Sequence, residues 1–155
     1  MSFVIERIFG ETLELRELIG ELDDVLGAAY EPHQRHGLTI SRLFDPPMCF
    51  FMVRLEGRAA GCGGVALFDD YAEVKRMYTR PAARGQGLAK ALLQRIEDEA
   101  RASGKTILRL ETGPYQQEAI GLYQRMGFGP CGPFGCYAGM PAANIEMSLF
   151  FEKLL

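Results

Sequence analysis

The residues with the clearest chemical potential lie between Glu73 and Lys90. This segment holds one acid and five cations, namely Lys75, Arg76, Arg80, Arg84 and Lys90. The whole chain of 155 residues nevertheless carries a formal net charge of −3. A local cationic turn in an acidic protein favours a specific small anion over a polyanion, so no nucleic-acid partner is predicted.

The centre of the segment is Arg84-Gly85-Gln86-Gly87-Leu88-Ala89, which fits the pattern [Arg/Gln]-x-x-Gly-x-[Gly/Ala]. A strand is predicted before it and a helix after it, so free backbone N–H groups and the helix dipole would point at a phosphate. Glycines permit positive φ and remove side chains that would hold the phosphate away. The alternative is a strand-to-helix turn whose glycines serve only tight geometry.

Two other phosphate motifs do not fit the sequence. No Gly-x-x-x-x-Gly-Lys-Ser/Thr run occurs, which disfavours a nucleoside triphosphatase. Gly85-x-Gly87 lacks the third glycine of the dinucleotide fingerprint, because Lys90 stands at that position.

The composition indicates the number of domains and argues against a membrane protein and a metal site. Apolar residues make up 48% of the chain and charged residues 24%, which indicates one globular domain over residues 1–155. No apolar run approaches the roughly 18 residues that span a bilayer, and the N-terminus does not resemble a signal peptide. We therefore expect a cytoplasmic protein without a membrane partner. The four cysteines form no CxxC pair, so no metal site is predicted.

Periodicity and turn signals give the order of elements. Strands are predicted at 3–9, 48–55, 58–67, 71–79, 106–112 and 145–151, and helices at 11–30, 87–103 and from Gly113-Pro114 to Gly127. Residues 31–44 are irregular or a second short helix, and residues 130–141 are a loop or broken strand. The fold class is therefore α/β (α+β), with helices on both faces of a mixed sheet.

The chain resembles the GNAT superfamily of acetyl-CoA-dependent N-acetyltransferases over almost its full length. The resemblance is strongest at residues 73–89 and 111–128, where Glu-Thr-Gly…Gln-x-x-Ala-Ile-x-Leu-Tyr-x-x-x-Gly-Phe is similar to the second motif of the family. It implies a mostly antiparallel sheet of six or seven strands. Two parallel central strands, Ala72–Thr79 and Thr106–Thr112, would splay apart to admit the cofactor.

The resemblance implies acetyl-CoA as the acetyl donor and assigns residues to it. Backbone amides of Arg84, Gly85, Gln86, Gly87, Leu88 and Ala89 would bind the pyrophosphate. The strand end, Met77, Tyr78 and Thr79, would hydrogen-bond the pantetheine arm. Gln116 stands where many members carry a cofactor-binding Asn, and its longer amide can form similar hydrogen bonds.

Two catalytic residues follow from the same resemblance. Glu73 matches the general-base Glu of histone-acetylating members; the alternatives are an ordered water chain as base and a strand-end Glu paired with a neighbouring cation. Tyr123 matches the tyrosine that protonates the CoA sulfur; the alternative is a tyrosine that only packs on the sheet. The N–H of Met77 or Tyr78 would stabilise the oxyanion.

The sequence says less about the site that would bind the acetyl acceptor. His33, His36 and the loop Gly129–Pro141, with Phe134 and Tyr137, would wall the acceptor site. We expect direct transfer to a primary amine of a small molecule or peptide in a ternary complex. The rival hypotheses are a non-catalytic acyl-CoA-binding module and an interaction protein without a cofactor. The acceptor is unknown, and a homodimer is left open.

Overall fold

The computed structural model describes residues 2–155, which form seven strands and four helices. The strands are β1 (Phe3–Ile8), β2 (Met48–Leu55), β3 (Arg58–Leu67), β4 (Ala72–Thr79), β5 (Ile107–Thr112), β6 (Gly129–Pro130) and β7 (Leu149–Leu154). The helices are α1 (Leu13–Ala29), α2 (Leu88–Ala102), α3 (Gln117–Arg125) and α4 (Ala142–Ile145). Within residues 2–155, every helix is too short or too polar to cross a membrane.

All strands join one sheet in the order β1-β2-β3-β4-β5-β7-β6. Neighbouring strands are antiparallel except β4 and β5, which are parallel. The parallel pairing is confined to Ala72 with Leu108 and Glu73 with Arg109, after which the two strands separate. The predicted mixed, mostly antiparallel sheet with a splayed parallel pair is confirmed.

Helices cover both faces of the sheet because successive residues of the central strands point to opposite sides. Along β2, Phe51 and Val53 belong to the core that includes α2 and α3, whereas Phe50 and Met52 belong to the core under α1. The hairpin between β2 and β3 has the predicted bounds. Its two turn residues both adopt positive φ, 50° at Glu56 and 80° at Gly57, as a type I′ hairpin turn requires.

A β-bulge in β4 changes which residues face each side. Cys62 pairs with Tyr78, but Gly64 pairs with Lys75, so two residues of β4 lie opposite one residue of β3. Arg76, inside the bulge, has a φ of 56°. The bulge shifts the alternation by one residue, which leaves Val74 and Met77 both in contact with the α2 core. No pattern in the sequence predicted this β-bulge.

Two predicted elements have wrong bounds, and the last strand also ends later than predicted, at Leu154 instead of Phe151. The last strand begins at Leu149 instead of Ile145, because the chain forms the single-turn helix α4 directly after Pro141. Helix α3 begins at Gln117 instead of Pro114, because the preceding residues form a turn in which Gln116 N–H donates to the Gly113 carbonyl at 3.2 Å. Residues 31–44 form two 3₁₀ turns, Pro32–Gln34 and Ile40–Phe44.

Candidate functional site

A cavity of about 130 Å³ opens where β4 and β5 separate. Its walls are the ends of these two strands, the C-terminal half of α1, the segment 34–37 and the start of α3. Four residues predicted for the site line it together, namely Glu73, Met77, Gln116 and Tyr123. The parallel strands stop pairing at this point, and the space between them brings residues that are far apart in the sequence to one cavity.

The predicted phosphate turn lies between β4 and α2. Gly85 and Gly87 have φ values of 79° and 78°, and Gly87 caps the helix. The first backbone bond into α2 runs from Ala91 N–H to the Gly87 carbonyl at 3.0 Å, so the preceding amides of the helix start have no helical acceptor. Such a nest of N–H groups at a helix N-terminus suits an anion.

Side chains around this turn leave its backbone accessible. Arg84 is exposed, and its Nε donates to the Thr79 carbonyl at 3.3 Å. Leu88 is buried in the core beneath α2, so only its backbone is available to a ligand. Gln86 is half-buried, and its Oε1 has no hydrogen-bond donor among residues 2–155.

Tyr123 connects the core to the cavity. The residue is 6% exposed, its ring packs edge-on against Phe128 at 5.8 Å, and it also lines the cavity. Burial raises the pKa of its phenol, so the side chain is a proton donor rather than a phenolate at neutral pH. The two predicted roles, packing and proton donation, are therefore compatible in one side chain.

Glu73 is part of a closed buried triangle. The carboxylate is 2% exposed. It lies 2.9 Å from the Lys75 ammonium and accepts a hydrogen bond from the Tyr137 hydroxyl at 2.7 Å. Lys75 also donates to the Tyr137 oxygen at 2.8 Å. The pairing with a neighbouring cation was foreseen as an alternative, but this carboxylate is buried and not at a solvated strand end.

A second carboxylate of the cavity was not singled out from the sequence. Glu111 near the end of β5 lines the cavity and accepts a hydrogen bond from Ser148 Oγ at 2.7 Å. Burial raises its pKa above the ordinary value of 4.5, although the Ser148 bond and nearby His36 and Lys75 oppose this. The sequence around Glu111, just before the Gly113 turn, gave no indication of a buried carboxylate, because the elements that bury Glu111 are distant in the sequence.

Two of the residues predicted to wall the acceptor site, His36 and Tyr137, line this cavity. His36 lines the cavity, donates from Nε2 to the Asn144 carbonyl at 2.8 Å and packs edge-on against Tyr137. His33 is exposed and does not line the cavity. Tyr137 lines it, whereas Phe134 packs behind Tyr137 against Phe150.

Gln116 is held in place by the end of α1. The Tyr30 hydroxyl donates to Gln116 Oε1 and accepts from the Tyr115 amide at 2.9 Å. A Cβ at Gly113 would lie 2.0 Å from the Tyr30 oxygen, so this approach requires glycine at position 113.

Comparisons with known proteins agree with this architecture. The sequence profile of the Acetyltransferase (GNAT) family matches residues 14–128. Over an alignment of 141 residues the chain is 45% identical to an IAA acetyltransferase of Azospirillum brasilense. The alignment covers 90% of this chain and 89% of the relative. A Klebsiella pneumoniae structure described as an acyl-CoA N-acyltransferase has a TM-score of 0.81 at 32% identity, covering 99% and 97% of the two chains.

A more distant relative shares the fold. An N-acetyltransferase of Thermoplasma acidophilum, solved in complex with coenzyme A, has a TM-score of 0.72 at 15% identity and full coverage of both chains. The chain described here belongs to the GNAT acetyltransferase family and is an acyltransferase.

Proposed function

We propose that this acyltransferase carries the acetyl group of acetyl-CoA to a primary amine by direct attack within a ternary complex. The observation that carries the proposal is the separation of β4 and β5 beyond Glu73 and Arg109. A parallel strand edge without a partner can pair with an extended chain, as in strand addition. Here that chain would be the pantetheine arm, which leads from the phosphate turn into the cavity.

The residues predicted to bind the cofactor would form one path from the glycine turn to the cavity, which Met77 and Gln116 line. The amides of residues 84–89 would bind the pyrophosphate at the start of α2. The backbone of Met77, Tyr78 and Thr79 would hydrogen-bond the pantetheine, and Gln116 Nε2 would bind it from the start of α3. The coenzyme A complex of the Thermoplasma relative supports a cofactor in this fold.

The chemistry requires two proton transfers and one stabilised oxyanion. The amine nitrogen attacks the thioester carbonyl, and the N–H of Met77 or Tyr78 stabilises the oxygen as it becomes negative. The C–S bond then breaks, and Tyr123 donates its proton to the departing thiolate.

A carboxylate of the cavity takes the proton that the amine loses, directly or through water. We assign this step to Glu111, which accepts a hydrogen bond from Ser148 Oγ and has a raised pKa that improves its basicity. Glu73 remains the competing assignment from the sequence. Because Lys75 and Tyr137 already donate to it, we assign Glu73 the role of fixing the chamber wall.

Direct attack also fits the positions of the cysteines. None of the residues found to line the cavity is a cysteine, which removes the usual thiol nucleophile for an acetyl-enzyme. Cys62 is fully buried, and burial raises its pKa to about 12.

Calorimetry and a thiol-release screen test the proposal. Acetyl-CoA should bind the purified chain, and free CoA thiol should appear only when an acceptor is added. The panel comprises amino acids, polyamines, aminoglycosides, peptides and IAA, the last because of the name of the Azospirillum relative. No binding at millimolar acetyl-CoA would refute the proposal. Binding without release for every amine would favour the non-catalytic module.

A further inference from the structure

Arg76 is a buried cation with too few partners. The residue is 8% exposed and carries a guanidinium with five N–H donors. Its Nη2 pairs with Asp23 at 2.5 Å, which is the one carboxylate within ion-pair distance among residues 2–155. Its Nε is buried and has no hydrogen-bond partner within that part of the chain. A buried guanidinium normally has its donors satisfied, so this one has capacity for a further acceptor.

The backbone around Arg76 is built to hold this side chain at the cavity. Arg76 lies in the β-bulge with a φ of 56°, a left-handed conformation that is unfavourable for a non-glycine residue. Gly37 lies directly against the guanidinium, since a Cβ there would be 1.9 Å from Nη1. Arg76 and Gly37 both line the cavity. The bulge and the close contact with Gly37 thus both act on the same guanidinium, that of Arg76.

The same cavity contains the carboxylates that would receive an ammonium. Glu73 and Glu111 line it, and Lys75 neutralises Glu73, which leaves Glu111 as the carboxylate without an ion-pair partner among the described residues. Asp23, the partner of Arg76, has a side chain that is 56% exposed, so its charge is partly screened by water. Within residues 2–155, the cavity therefore contains both an unpaired carboxylate, Glu111, and a guanidinium with an unsatisfied donor, Arg76.

We propose that Arg76 binds a carboxylate of the acceptor, so that the amine acetylated by this enzyme is a free amino acid. The carboxylate would accept from the uncommitted donors of Arg76, and the amino group would face Glu111. This inference rests on the proposed acetyl transfer and narrows its acceptor. An amine without a carboxylate would leave the buried donors of Arg76 unsatisfied, which penalises its binding.

Matched acceptors test this specificity. The panel pairs α-, β- and γ-amino acids with their carboxamides, which keep the amine and lose the negative charge. For the best pair, the wild type should favour the acid by about 10- to 100-fold in kcat/KM, mostly through KM, as expected for a charge-assisted hydrogen bond. The variant Arg76→Gln should lose this ratio, whatever its overall activity, and Asp23→Asn should keep it because Arg76 remains.

Several results would overturn the inference. Equal use of acid and amide by the wild type would do so, as would thiol release with amines while every amino acid fails. An Arg76→Gln variant that slows both acceptors equally would mark Arg76 as structural. If that variant does not fold, calorimetry on the CoA-loaded wild type decides, since the acid should bind more tightly than its amide. Absence of thiol release with any amine would instead refute the acetyl transfer itself.

Discussion

Glu73 and Arg109 form the last registered pair between the parallel strands β4 and β5. Before this pair the sheet is continuous, and beyond it the cavity begins. Glu73 also belongs to the buried triangle with Lys75 and Tyr137, which ties the segment after β6 to β4. The point at which the sheet opens is therefore also a point at which charged groups are held in place.

Removing the hydroxyl of Tyr123 should affect catalysis more than stability. The variant Tyr123→Phe keeps the ring contact with Phe128 and loses only the proton donor. We expect kcat to fall by about 100-fold with little change in acetyl-CoA affinity. Steady-state kinetics and calorimetry measure the two effects. Tyr115→Phe is the matched control because Tyr115 is 61% exposed, and equal turnover of both variants would remove Tyr123 from the mechanism.

Alanine at the glycines of the phosphate turn should weaken cofactor binding through the backbone. Gly85, Gly87 and Gly104 have φ near 78°, and a Cβ at any of them meets no atom within 4 Å. Each alanine should therefore cost about 1 to 2 kcal/mol of unfolding free energy from strain alone. Only the first two should also lower acetyl-CoA affinity, since Gly104 lies at the far end of α2.

Urea unfolding and calorimetry on the three alanine variants separate these effects. A Gly104→Ala variant that loses as much affinity as Gly87→Ala would show that strain in α2, and not the loss of an anion site, explains the weaker binding.

The pH dependence should distinguish the two carboxylates. Burial raises the pKa of Glu111, so activity should rise with pH as this group loses its proton. Glu111→Gln should lower kcat and remove the acidic limb of the pH–rate profile. Glu73→Gln should keep that limb if Glu73 is not the base. The opposite outcome, with the limb lost only in Glu73→Gln, would restore the assignment made from the sequence.

The same raised pKa has a consequence for stability. Well below pH 4.5, the ordinary pKa of the group, Glu111 is protonated in both folded and unfolded states, so a neutral carboxyl is buried. As pH rises, the unfolded chain releases this proton first, so the folded state loses stability until pH passes the raised pKa. Glu111→Gln avoids that loss. Thermal unfolding should show the variant gaining on the wild type between pH 4 and pH 8, and a constant or shrinking difference would contradict a raised pKa.

Breaking the buried triangle should destabilise the fold. Lys75→Met leaves the Glu73 carboxylate, 2% exposed, without its cation, which should cost about 3 kcal/mol or more. The double variant Lys75→Met/Glu73→Gln removes both charges and should recover most of that loss. Urea unfolding measures both. If the double variant is no more stable than the single one, the loss comes from packing and not from an unpaired charge.

Local signals made much of the cofactor side predictable. The hairpin at Glu56-Gly57 and the glycine turn before α2 are short-range features, because their positive φ values follow from residues within a few positions. Helix α2 follows from its apolar periodicity, and its buried face carries Leu92 and Ile96. The roles of Arg84 to Ala89 and of Tyr123 in binding and catalysis remain predictions that these experiments check.

The sequence by itself determined the family, the order of strands and helices that implies a mixed sheet, and the glycine turn before α2, since each depends on local propensity or on a contiguous motif. Tertiary structure alone decided the rest. The bulge at Arg76 depends on its pairing with β3, and the raised pKa of Glu111 depends on elements that bury it from several parts of the chain. Burial and charge pairing are properties of neighbours in space, so the cavity and its buried charged groups could be described only from the folded chain.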